Sequence, residues 1–64
     1  METLVEIAKF IGTDGSMGFR RGQKYRLEIF IDEGRIIVIH IRTGKVIPYD
    51  TFSALMKNWD FVKP

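Results

Sequence analysis

Residues 24–48, KYRLEIFIDEGRIIVIHIRTGKVIP, constrain the fold more than any other stretch. Through 24–32, Tyr25, Leu27, Ile29 and Ile31 fall on one side, and Lys24, Arg26, Glu28 and Phe30 on the other. That period of two marks a half-buried antiparallel strand. Asp32-Glu33-Gly34 reads as a short hairpin loop, with Gly34 supplying left-handed geometry. Residues 35–42 alternate differently. Ile37, Ile39 and Ile41 lie on one side, Ile36, Val38 and His40 on the other, which predicts a central strand covered on both faces at least in part. Thr43-Gly44-Lys45 turns the chain again, Val46-Ile47 starts a short strand, and Pro48, with no N–H to give, ends its pairing at an edge. Three strands joined by two tight turns make a β-meander.

The flanks fit around that meander. Residues 3–11, TLVEIAKFI, suit a strand because β-branched residues are frequent and a glycine-rich loop follows, although Leu4, Ile7, Ala8 and Ile11 also match a helical stripe. The loop 12–22 holds four of the six glycines, and Asp14 and Ser16 bring turn chemistry. Phe19 is an aromatic in polar surroundings, expected to fold back as a lid on the core. Residues 50–58 predict the single helix. Asp50 would cap it, and Phe52, Leu55, Met56 and Trp59 form one apolar stripe, with Trp59 as its anchor. Residues 60–62 leave space for a last short strand.

Size and composition narrow the options. A chain of 64 residues makes one domain, and a domain of this size buries only about 60% of its unfolded surface, so the core is thin. With no cysteine and a single histidine, neither a disulfide nor a zinc site is available to support it, and no cofactor is implied. Ten Lys and Arg against eight Asp and Glu give +2, which neither demands nor excludes a polyanionic partner. No apolar run reaches the roughly 20 residues of a membrane span and no secretion signal is apparent, so a soluble, cytoplasmic protein is expected.

Catalytic groups do not form a recognisable set. Ser16, Ser53, His40 and the aspartates lie in no known nucleophile–base arrangement, and Asp14 and Asp50 read as turn and cap residues. The sequence GTDGSMG has glycines but no following Lys-Ser/Thr and no helix behind it, so it is not a phosphate loop. Two surfaces remain. Arg20, Arg21, Lys24 and Arg26, with Phe19 and Phe30 nearby, form a basic cluster with aromatics of the kind that tracks a phosphate backbone, or else an ordinary solvated face. Phe30, Ile36 and Val38 would adjoin across the hairpin as an apolar patch, unless the fold closes over them.

Five short strands, a long loop after the first and a helical turn before the last resemble an SH3-like barrel. Phe19-Arg20-Arg21-Gly22-Gln23 is similar to the approach to the second SH3 strand, and Gly44 through Ile47-Pro48-Tyr49 to the region before the last. GFRRGQKYRLEI together with VIPYDTFSALMKNW further resembles small bacteriophage and prophage proteins of Gram-positive bacteria, a group without assigned activity. The resemblance implies a mostly β fold, a five-stranded SH3-like barrel over residues 1–64 with one short helix near the C-terminus. It does not carry polyproline binding. The loop reads TDGSMGFRRG where signalling SH3 domains have an aromatic run, the third strand opens with Arg35-Ile36, and Trp59 lies after the helix. The expected function is a non-enzymatic module, monomeric or homodimeric, that binds a protein through Phe30, Ile36 and Val38. The alternative is nucleic-acid binding through Phe19, Arg20, Arg21, Lys24 and Arg26.

Overall fold

The alternating stretch becomes β2 (Lys24–Asp32) at the middle of one antiparallel sheet. The computed structural model describes residues 2–61. Around β2 stand β1 (Leu4–Phe10), β3 (Arg35–His40), β4 (Lys45–Tyr49) and β5 (Trp59–Phe61), in the spatial order β4-β3-β2-β1-β5. A 3-10 turn at Ser16–Gly18 interrupts the first loop, and α1 (Phe52–Asn58) links β4 to β5. Residues 3–11 are thus a strand, and the expected last strand begins one residue early, at Trp59. Val62 lies outside the described residues.

Register decides what is buried, since a slip of one residue would turn every side chain to the other face. Leu27 pairs with His40, Ile29 with Val38 and Ile31 with Ile36; Ile36 then pairs with Tyr49 and Val38 with Ile47. On the other side Ala8 pairs with Tyr25, and Phe10 with Trp59. Of these, all but Ile31, Tyr25 and His40 join Phe19 and Leu55 in the buried apolar core; Tyr25 packs against it, His40 is buried beside it, and Ile31 stays exposed. Phe19 does act as a lid. Its ring meets Trp59 edge-on at 4.9 Å between centroids, and Phe10 at 5.4 Å, so three aromatics fill the space beneath the first loop. The 32–34 hairpin closes through Glu33 (φ 51°) and Gly34 (φ 77°), both left-handed, as a two-residue turn matched to strand twist requires.

Three expectations are corrected. β2, not β3, is central, although β3 is covered in part on its outer side as well, where Ile37 and Ile39 are half-buried. Thr51, not Asp50, caps α1: its Oγ1 accepts from the Ala54 N–H at 3.1 Å, while Asp50 pairs with Arg35 Nε at 3.1 Å. The cap moves because Pro48 and Tyr49 are still paired with Ile37 and Ile36, which holds the chain extended for longer. The apolar stripe also divides. Leu55 and Trp59 are buried, Trp59 from β5 rather than from the helix, whereas Phe52 and Met56 face outward.

The hydrogen-bonded ladder is not closed, and β4 and β5 are its edges. A side chain ties them together. Tyr49 Oη accepts from both Trp59 Nε1 and Asn58 Nδ2, each at 3.0 Å. The indole N–H of a fully buried tryptophan thereby finds its partner, as burial of a polar group demands.

Candidate functional site

The two ends of the sheet differ in charge because of where the pairing stops. Lys24, Tyr25 and Arg26 pair with Lys9, Ala8 and Ile7 of β1, but the pairing of β2 with β3 starts only at Leu27. Beyond it, Ile41 N–H still reaches the Arg26 carbonyl at 3.2 Å, and the chain then turns at Thr43-Gly44. A groove of about 570 Å³ opens where β3 leaves β2, with the first loop on its far side.

Four cations line this groove: Arg20 from the loop, Lys24 and Arg26 from β2, and Arg42 from the β3–β4 turn. Lys45 lines an adjoining depression that shares Gly18, Tyr25 and His40 with the groove. Among the described residues, no acidic one lines either. Lys9 and Lys24 stand opposite each other across the ladder, a pairing that disfavours the bare sheet, although Asp60 faces Lys9 from β5.

The floor is aromatic and firmly held. Tyr25 and His40 meet edge-on at 5.3 Å, and Phe19 packs against both at 4.9 and 5.4 Å. Tyr25 Oη accepts the Arg20 N–H at 2.9 Å, fixing the loop over the groove. His40 Nδ1 shares a hydrogen bond with Thr43 Oγ1 at 3.0 Å, and Thr43 Oγ1 also accepts the Lys45 N–H at 3.3 Å. Lys45 Nζ donates to the Met17 carbonyl and sits 5.9 Å from the Phe19 ring centre. The turn and the loop are therefore stitched together across the groove's end. Burial, and then the charges of Arg42 and Lys45, push the His40 pKa below its ordinary 6.5, so the imidazole is neutral at pH 7.

The sequence-derived basic cluster is brought together in part. Arg20, Lys24 and Arg26 line the groove; Phe19 lies under it as core. Arg21 does not contribute a lining side chain, and its backbone N–H is bound by Asp14 Oδ1 at 2.9 Å. Arg42, Lys45, Tyr25 and His40 were missing from the expected set. The signal that could have found them is the register: pairing Leu27 with His40 places residues 42–45 beside the start of β2.

The expected apolar patch is not one surface. Ile36 and Val38 are 3% and 0% exposed and face the core. Phe30 pairs with Ile37 and points to the opposite face, because successive strand residues alternate sides.

His40 has Thr43 as its polar side-chain partner rather than a carboxylate or serine. Among the described residues no three His, Asp or Glu side chains gather as metal ligands would, and no helix is long and apolar enough to cross a membrane. No protein-family model, curated protein or solved structure matches this chain.

Proposed function

We propose that the protein is a non-enzymatic binding module of SH3-like barrel type that holds a nucleic-acid strand in its basic groove. The observation that carries this reading is that Arg20, Lys24, Arg26 and Arg42, from three separate segments, line one groove with Tyr25 and His40, that Lys45 stands in the adjoining depression, and that no acidic side chain among the described residues lines either. Cations at this density have little to gain from one another; a chain of phosphates supplies the missing counter-charge. The half-buried Tyr25 lines the groove beside them, an aromatic of the kind small barrels use to meet an unpaired base. The barrel reading draws support from the antiparallel order β4-β3-β2-β1-β5 and from the Tyr49 tie between the edge strands.

Fluorescence anisotropy with labelled mixed-sequence single- and double-stranded oligonucleotides at low salt tests it. Binding is expected for the native protein, weakened at least tenfold in an Arg20→Glu/Arg42→Glu double variant and little changed in Arg21→Glu. No binding at low salt, or equal loss in all variants, defeats the proposal.

A further inference from the structure

At the end of the sheet away from the groove, the inward face runs on beyond the core. Leu4 pairs with Ile29, next to Ile31, and the three line a notch of about 260 Å³ closed on one side by Phe52 from the first turn of α1. Four large side chains are exposed in this region: Leu4 (59%), Ile31 (48%), Phe52 (63%) and Met56 (54%). Phe52 and Met56 are four residues apart on α1 and so adjoin on its outer surface. Exposed apolar groups scattered singly need no explanation, but a contiguous set around a concavity marks a docking surface. The set is also where the helix departs from its own pattern. Half of its apolar stripe, Phe52 and Met56, stays outside the buried core.

Charge decides what fits. Glu2 lines the notch, and Asp32 and Glu33 follow directly on Ile31. Arg35, across the hairpin from Asp32, is held by Asp50. Two copies of the chain meeting face to face here would press these carboxylates together, which opposes a symmetric dimer. A partner with cations around an apolar anchor meets no such opposition.

We infer that this notch docks a short amphipathic segment of a partner protein, a bulky apolar anchor flanked by lysines or arginines. The site is separate from the basic groove and does not depend on its function. Binding is helix-in-groove in kind: the anchor enters between Leu4, Ile31 and Phe52, Met56 adapts to its flank, and the basic residues face Glu2 and Glu33.

The test uses two synthetic amphipathic peptides of equal apolar content, one of leucine and lysine and one of leucine and glutamate, titrated into isotopically labelled protein. The lysine peptide is expected to shift the resonances of Leu4, Ile31, Phe52 and Met56. Phe52→Ser, a change at an exposed position, is expected to weaken it at least tenfold, as is Glu2→Lys/Glu33→Lys. The glutamate peptide is expected not to bind. Shifts elsewhere, undiminished binding by Phe52→Ser, or a native dimer that Phe52→Ser converts to monomer would each overturn the inference.

Discussion

The proposed binding of nucleic acid carries a salt dependence that follows from the groove by counting. Arg20, Lys24, Arg26 and Arg42 line it directly, and Lys45 stands in the adjoining depression, already engaged by the Met17 carbonyl. Four or five phosphates are thus neutralised, and for a single strand each contributes about −0.7 to the slope of log K against log salt, giving a total of about −2.8 to −3.5. Raising salt from ~50 to ~200 mM then lowers affinity by ~50- to ~130-fold. Anisotropy titrations at four or five salt concentrations measure the slope. Arg42→Gln is expected to make it shallower by about 0.7, one counterion's worth, and Arg21→Gln to leave it in place. The position of Arg42 makes this a sharp test, because it is separated from the other arginines in sequence and joins them only through the pairing of β2 with β3. A slope near zero, or one that Arg21→Gln reduces as much as Arg42→Gln, would refute the groove as the binding site.

Three further outcomes concern the scaffold. Tyr49→Phe leaves the buried Trp59 Nε1 without its acceptor, and is expected to cost about 1–3 kcal/mol in urea unfolding followed by tryptophan fluorescence. A cost below ~0.5 kcal/mol would mean that the edge strands do not need this tie. Gly12→Ala would bring a methyl within 2.8 Å of Phe10 Cζ and 2.7 Å of Asn58 Oδ1, a clash with a core ring that is expected to lower stability by about 1–3 kcal/mol, read from the denaturation midpoint. Because the native His40 pKa lies below its ordinary 6.5, the unfolded chain takes up its proton first as pH falls. Stability is therefore level above that value, declines on acidification through the window beneath it, and has lost the whole contribution once the native imidazole is protonated. His40→Gln is expected to remove this decline in thermal melts between pH 7 and 5.5, and an unchanged decline would assign it to other groups.

The strands were legible because their alternation is a local property, and Phe19 because an aromatic in a polar loop must find cover. What the chain does not display is register. Ile36, Val38 and Phe30 are all apolar neighbours of one hairpin, and only the pairing of Phe30 with Ile37 shows that they face opposite ways. The same blindness hid half of the groove. Arg42 and Lys45 look like turn residues until the fold places Arg42 in the groove with Lys24 and Lys45 in the depression beside it. At the helix, Asp50 and Thr51 are equally good caps by composition; the choice was made by β4, which holds Tyr49 in its ladder and delays the first turn. Phe52 and Met56 follow the helical period faithfully but exceed what a 64-residue core can take in.

The near-neutral total conceals a strongly divided molecule. Along β2 the sequence passes from Lys24 and Arg26 to Asp32, and the hairpin adds Glu33. The eight steps of extended chain from Lys24 to Asp32 separate the two signs by about 26 Å at ~3.3 Å per residue. That is about three times the ~8 Å over which physiological salt screens exposed charge. A phosphate chain at one end therefore neither attracts nor repels what approaches the other, and the two proposed surfaces can be filled together without competing. A basic segment docked against Glu2 and Glu33 would then be carried next to a bound strand with its orientation fixed by the sheet. In that arrangement the domain works as a rigid spacer between two unlike partners, and the opposite charges at its ends keep each from occupying the other's place.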